Sequence, residues 1–404
     1  MNYVARPSRS TPFNLAAARV ILVTATLWKL VRYDWGALPT WPAPLRDILP
    51  VFRHPSVFSH VQLVALACGL CLLAVLVGYR LRATAWAGAI LLTYLGTVRH
   101  AYQTSHTSRI LFNAALVLLL FALFAEEDRL SVDQLRRTRD ATLASLRDHL
   151  ELDLGEFPHR ALRWTLVVVG VFYFQAGYGK LVGDPVSWVQ PWNLGRYVAF
   201  RAGDQGYYLA EFMLAHPPVL VAGAVGTIFL EVGLLVAVVL GFRLWAFLAG
   251  LVGMHAVIAV SVGPVFADQL PFLALLLPWD SLQRRLQRRE ELVVVYDRHC
   301  LFCARTLHPF RYLDVAGSVS YYSQETVPDR YDRDDAAFDS AMYAFRDGDA
   351  SRGYAAFRQL FAHLGITRPV GAAMALPGVR RVGRVVYGHV ARNRSRHFAC
   401  GTRD

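Results

Sequence analysis

Cys300 and Cys303, three positions apart, are the side chains in this chain best suited to chemistry. They follow residues 292–297, where Val293, Val294 and Val295 in succession read as a buried strand. They stand at the start of an expected helix, 300–314. The first turn of a helix has amide groups without intrahelical acceptors and a partial positive charge. Both favour a thiolate at Cys300, and Arg298 and a protonated His299 would add to the field. Cys303, one turn on, can resolve a mixed disulfide. Cys300 is therefore the expected nucleophile and Cys303 the resolving thiol. Two other readings stay open. His397 and Cys400 could complete a Cys3His zinc site with Cys300 and Cys303, or the thiols are inert. A second Cys-X-X-Cys, Cys68 and Cys71, lies inside an apolar run, where cysteine behaves as a small hydrophobe.

A second group of candidates is ionisable residues within or at the ends of apolar runs: His106, Lys180, Glu231 and His255. Such residues are costly in a membrane and so mark function. Each has a plainer reading. Lys180 can snorkel, His106 can be a loop residue, Glu231 can satisfy a nearby donor, and His255 can be a packed, hydrogen-bonded side chain. Taken together they suggest more. A lysine in an apolar pocket loses solvation, which favours its neutral, basic form. It can then deprotonate a carbon acid or a hydroquinone hydroxyl, with a histidine donating to the developing oxyanion. Lys180 and His106 are the expected catalytic pair there, and Glu231 and His255 the ligand-binding residues.

The elements that must position these groups follow from hydropathy. The 404 residues are 55% apolar and 18% charged, with a mean hydropathy of +0.32, outside the range of soluble domains. The excess lies before Asp280 in runs near 14–31, 59–78, 83–99, 109–125, 162–178, 218–240, 243–262 and 265–279, about eight expected spans. Residues 126–160 are polar, with Leu135, Leu143, Leu146 and Leu150 near helical spacing, which reads as an amphipathic helix on the membrane surface. Arginine is concentrated in alternate loops. The positive-inside rule then puts both termini in the cytoplasm of a multi-pass protein, with the plasma membrane as the expected site. The net charge of +12 is spent on topology; no basic patch interleaves with aromatics, so nucleic acid is not an expected partner. The expected partners are the bilayer and a thiol-containing protein or small molecule. This topology sets Lys180 and His106 on the outer side, about 30 Å from cytoplasmic thiols.

After Trp279 the pattern changes. A charged linker at 283–291 leads into strands at 292–297, 318–322 and 341–345, with helices at 300–314, 353–364 and 379–394 and a turn at Asp347-Gly348. This is an α/β pattern. The fold class expected is an all-α transmembrane bundle, 1–282, followed by a small α/β thioredoxin-like domain, 292–404.

Residues 295–303, Val-Tyr-Asp-Arg-His-Cys-Leu-Phe-Cys, with Asp347-Gly348, Gly353, Val386-Tyr387 and 391–394, resemble the DCC family of thioredoxin-like thiol–disulfide oxidoreductases. The resemblance implies that Asp297, Cys300 and Cys303 are the working residues. The family usually has Gly where Arg298 stands and often Pro where Leu301 stands. The N-terminal part resembles the vitamin K-dependent gamma-carboxylase-like (HTTM) membrane family through 105–107, Ser-His-Thr, through 173–181 with its Ala-Gly-X-X-Lys-Leu run, and through Trp188, Glu231 and 254–256. That resemblance implies a base role for Lys180, support from His106, and a quinone as the cofactor or ligand. The carboxylase's large extramembrane β-rich domain has no counterpart here. The expected function is thus membrane thiol–disulfide exchange, a protein-disulfide reductase or oxidoreductase activity, joined to a module for a quinone-like or lipid-like molecule. The alternative is a non-enzymatic transporter or scaffold with a regulatory thioredoxin-like or zinc-binding domain.

Overall fold

A computed structural model describes residues 11–36, 60–102, 106–151, 157, 160–202, 208–242, 244–263, 268–331 and 338–397. The chain divides into two compact units. One holds Ala17–Glu127 and Pro158–Leu277; the other holds Thr11–Ala16, Asp128–Phe157 and Pro278–Asp404.

The first unit is helical. It contains most of α1 (Pro12–Arg32), then α2 (Val61–Val77), α3 (Leu81–Tyr102) and α4 (His106–Leu123). In the later part of the chain it contains α6 (Arg160–Gly183), α7 (Pro191–Ala202), α8 (Tyr208–Ala215), α9 (Pro217–Leu240) and α10 (Leu244–Ser261). Four of these, α1, α6, α9 and α10, are long and apolar enough to cross a membrane, while α2 and Arg109–Leu123 are apolar but shorter. The expected count of about eight spans is finer than this. Its last member, 265–279, is not one helix where it is described: only Leu270–Ala274 is helical there, and a new helix starts at Trp279. Pro271 and Pro278 lack the amide donors to continue a helix, and five residues rise only about 7.5 Å.

Polar groups in this unit are paired across helices. Arg19 Nη1 donates to Val75 O at 2.9 Å, joining α1 to α2. Lys29 forms an ion pair with Asp268. Glu127 accepts from Arg160 Nε at 2.7 Å and from the Ala161 amide at 2.9 Å, which caps α6 with a carboxylate at its positive end.

The second unit is α/β. Its helices are α5 (Leu143–Glu151), α11 (Trp279–Leu286), α12 (Leu301–Leu313), α13 (Tyr354–His363) and α14 (Pro377–His397), and its strands are β1 (Leu292–Tyr296), β2 (Val319–Ser323), β3 (Tyr343–Arg346) and β4 (Asp349–Arg352). The sheet order is β2-β1-β3-β4. β1 pairs parallel with β2 and antiparallel with β3, and β3 pairs antiparallel with β4. The β3–β4 turn places Asp347 at φ 52° and Gly348 at φ 86°, the two positive φ values that a two-residue hairpin of this twist requires. β1 is buried on both faces. Leu292, Val294 and Tyr296 enter one core and Val293 and Val295 the other, which is why the run is continuously apolar rather than alternating.

Two segments differ from the sequence reading. The stretch expected as an amphipathic helix on the membrane surface instead supplies α5 to this unit. Leu146 and Leu150 are buried in its core with Leu307, Val319 and Tyr321, and Arg305 Nε donates to Thr138 O at 2.8 Å. A helix with one apolar face satisfies a protein core as well as a lipid surface. The segment expected as a linker begins as α11. Gln283 is buried and donates to Leu313 O at 3.0 Å and Leu364 O at 3.2 Å.

The contact between α5 and α12 includes His149 stacked on His308, with ring centroids 4.1 Å apart. Burial, and then the neighbouring His308 and arginines, lowers His149 to about 3. Burial and Arg129 lower His308 to about 4. Both are bases with depressed values, so the unfolded chain binds protons near pH 6.5 that the folded one refuses. Their contribution to stability is complete above about pH 6.5 and is lost as pH falls toward 4. Below about pH 6.5 unfolding lets both imidazoles take up protons, so stability falls with pH, less steeply than for two fully buried histidines because His149 is partly exposed. Thermal unfolding followed between pH 7.5 and 5 is expected to show this slope in the wild type and about half of it in His308→Gln.

Candidate functional site

The thiol site is built by the end of β1 and the start of α12. Asp297 shapes the connection: its Oδ1 accepts the His299 amide at 2.9 Å, and its carbonyl accepts the Cys300 amide at 3.1 Å. Cys300 is the N-cap of α12, with extended backbone, and its Sγ accepts the Cys303 amide at 3.2 Å. A helix-start amide thus points at the sulfur that the sequence assigned as the anion. Both cysteines are free thiols. Tyr296, the last residue of β1, donates its hydroxyl to Glu151 Oε1 at 2.9 Å, tying α5 to the strand that carries the site.

Burial divides the two sulfurs. Cys300 is 0% exposed, whereas Cys303 is half-buried and lines a narrow cleft of about 30 Å³ with Phe302, Thr306, Phe357, Tyr387 and Val390. Arg298, expected to act on the Cys300 charge, is in an ion pair with Glu325. Part of its field is therefore spent on a carboxylate. The zinc alternative cannot be built from the described residues: Cys400 lies outside them, His397 is described only as backbone, and no group of three or more His, Cys, Asp or Glu among the rest could hold a metal ion.

Residues 294–400 match the DCC1-like thiol-disulfide oxidoreductase family. No curated protein and no solved structure matches the chain. The family match spans the end of β1, both cysteines and α12–α14 of the DCC1-like domain, and it does not extend to the helical unit. A strand leading into a cysteine-capped helix, in a family of thiol-disulfide oxidoreductases, carries a thiol–disulfide redox role for this domain.

The helical unit contains a separate site. A cavity of about 520 Å³ lies among α4, α6, α9 and α10. Lys180 near the end of α6 forms an ion pair with Glu231 of α9, with 15% and 9% of the two side chains exposed. The Lys180 ammonium also lies 5.1 Å from the centre of the Trp188 ring. Tyr173 Oη and His255 Nε2 are hydrogen-bonded at 3.1 Å. Lys180, Glu231 and His255, three of the four residues singled out by their cost in a span, thus line one cavity. The fourth, His106, opens α4, and its side chain is not among those described; Arg109, one turn later, reaches the cavity. The neutral-lysine reading lacked Glu231 as a charge partner for Lys180. A neutral Lys180 would leave that carboxylate as a lone buried charge, so any base role must move a proton through the pair. Tyr173 and Arg109 carry no helical-period signal that separates them from ordinary span residues, and sequence reasoning gave them no role.

The ion pair depends on close helix packing. A Cβ at Gly177 would come to 2.7 Å from Val232 Cγ2 and 3.0 Å from Glu231 Cβ. Gly177→Ala is therefore expected to push α6 off α9 and lower stability by about 1–3 kcal/mol, read as a fall in the unfolding temperature of the purified protein.

Proposed function

We propose that this chain is an integral membrane thiol–disulfide oxidoreductase in which the Cys300–Cys303 pair cycles between dithiol and disulfide. The observation that carries the reading is the amide of Cys303 donating to the Cys300 sulfur at the start of α12. In the cycle a protein thiolate attacks one sulfur of a partner disulfide, forming a mixed disulfide and releasing the partner's other sulfur as a thiolate. The second protein thiol, once deprotonated, attacks the mixed disulfide. This forms the Cys300–Cys303 bond and releases the partner's remaining thiol. Two electrons pass to the partner, and the reverse sequence oxidises it.

Electrostatics favours Cys300 as the anion, and access favours Cys303 as the sulfur a partner meets. Trapping separates these roles. Each single Ser variant is incubated with a disulfide-bearing partner and resolved without reductant. Mixed disulfide on Cys303→Ser assigns the attack to Cys300, with an opening of its shield; mixed disulfide on Cys300→Ser assigns it to Cys303. No adduct on either would remove the redox function.

The cavity around Lys180 and Glu231 is proposed to bind a quinone-like or lipid-like molecule. The support is its size, its apolar walls with a few convergent polar groups, and the resemblance of its residues to the gamma-carboxylase-like membrane family. Arginine placement supports a topology with both termini, and with them the thiol domain, on the cytoplasmic side.

A further inference from the structure

The last helix of the DCC1-like domain, α14, is held by one face only. At Gly383 a Cβ would meet the Tyr354 ring at 2.2 Å, so only glycine allows this approach. Tyr387 packs on Phe357 with centroids 6.0 Å apart and accepts the Met342 amide at 3.2 Å. Another face is apolar and uncovered. Val379, Val382 and Val386, at i, i+3 and i+7, are 46%, 63% and 55% exposed, and Leu376 just before the helix is 57% exposed. At about 100° per residue Arg381 and Arg392 lie toward the outer edge of this stripe, and Arg380 and Arg384 lie further round the helix. The helix sequence contains six arginines, and no acidic residue occurs anywhere from 350 to 397.

An apolar stripe on a helix whose only charged residues are arginines matches one occupant in both respects. The geometry points to α14 as an interfacial helix that docks on an anionic bilayer surface, valines among the acyl chains and arginines among the lipid phosphates. A protein partner would need a matching acidic rim around an apolar ridge, whereas an anionic bilayer presents both everywhere. The helices of this chain that are long and apolar enough to cross a membrane keep such a surface within reach of α14, so docking is an intramolecular event at high effective concentration. The same helix lines the Cys303 cleft with Tyr387, Val390 and Ala391. Docking would therefore hold that cleft close to the lipid surface.

The test uses the full chain with its five cysteines replaced by Ser and one nitroxide label, introduced at Val382→Cys or Val386→Cys, with Asp349→Cys on β4 as the water-exposed control. The protein is placed in nanodiscs of phosphatidylcholine alone or mixed with phosphatidylglycerol. Collision of the label with a water-soluble nickel chelate is expected to fall roughly fivefold at 382 and 386 in the anionic discs, and to stay unchanged at 349. Arg380→Gln, Arg381→Gln and Arg384→Gln together should abolish the difference, as should high salt. Equal chelate accessibility in both lipids would overturn the inference. So would spin–spin broadening between labels of two copies, which would make this face a protein interface.

Discussion

Serine at position 300 is expected to reduce thiol–disulfide exchange by this protein at least about 10³-fold, because the hydroxyl is not an anion at neutral pH and cannot form the disulfide. The fold should not suffer. Position 300 is the N-cap of α12, where serine is among the preferred residues, and its oxygen can accept the Cys303 amide that the sulfur accepts now. The unfolding temperature is therefore expected to stay the same or rise while turnover of a fluorogenic disulfide disappears. Loss of both together would mean that Cys300 is a packing residue, and retained turnover in the serine variant would remove it from the chemistry. Cys303→Ser should likewise stop turnover, since no second thiol then closes the cycle.

The second large effect is expected at the ion pair of the helical unit. Lys180→Ala leaves the Glu231 carboxylate, 9% exposed, without its partner. Breaking a buried pair from one side costs about 3–5 kcal/mol, more than the pair itself contributes. Glu231→Leu strands the ammonium in the same way. The double variant Lys180→Met with Glu231→Leu removes both charges and should regain most of the lost stability. If the proposed site binds a quinone-type ligand, that binding should not return with it, because two of the cavity's polar groups are gone. Thermal unfolding and ligand binding measured on the three variants separate the two contributions. A double variant as unstable as the singles would show that the two residues do not act on each other. Recovered binding in it would discard the site.

The parts of this structure that were legible in the sequence are those governed by local pattern. Val293–Val295 and the cysteine spacing gave the strand and the capped helix directly, and Asp347-Gly348 marked the turn after β3, but β4, polar and exposed over Asp349–Arg352, had no strand signal. The cost of an ionisable group in an apolar run singled out Lys180, Glu231 and His255, which line one cavity. What stayed hidden depends on contacts between residues far apart in the chain. The Leu146 and Leu150 face of α5 has the same period whether it meets lipid or the core beside Leu307. Lys180 and Glu231 lie 51 residues apart, and nothing local in either predicts the other as its partner. The pairing of Arg298 with Glu325 was hidden for the same reason. Spacing also places two sulfurs one turn apart without saying which is covered, so the burial of Cys300 and the access to Cys303 appear only in three dimensions.

The most direct test of the redox function is a titration of the thiols themselves. The full chain is equilibrated in glutathione buffers from reducing to oxidising, quenched, alkylated and digested. The expected result is one two-electron transition in which a peptide joining Cys300 to Cys303 appears while Cys68 and Cys71 stay alkylatable. Cys300 and Cys303 remaining free thiols across the whole range, or a disulfide that excludes either of them, would contradict a redox role for this domain.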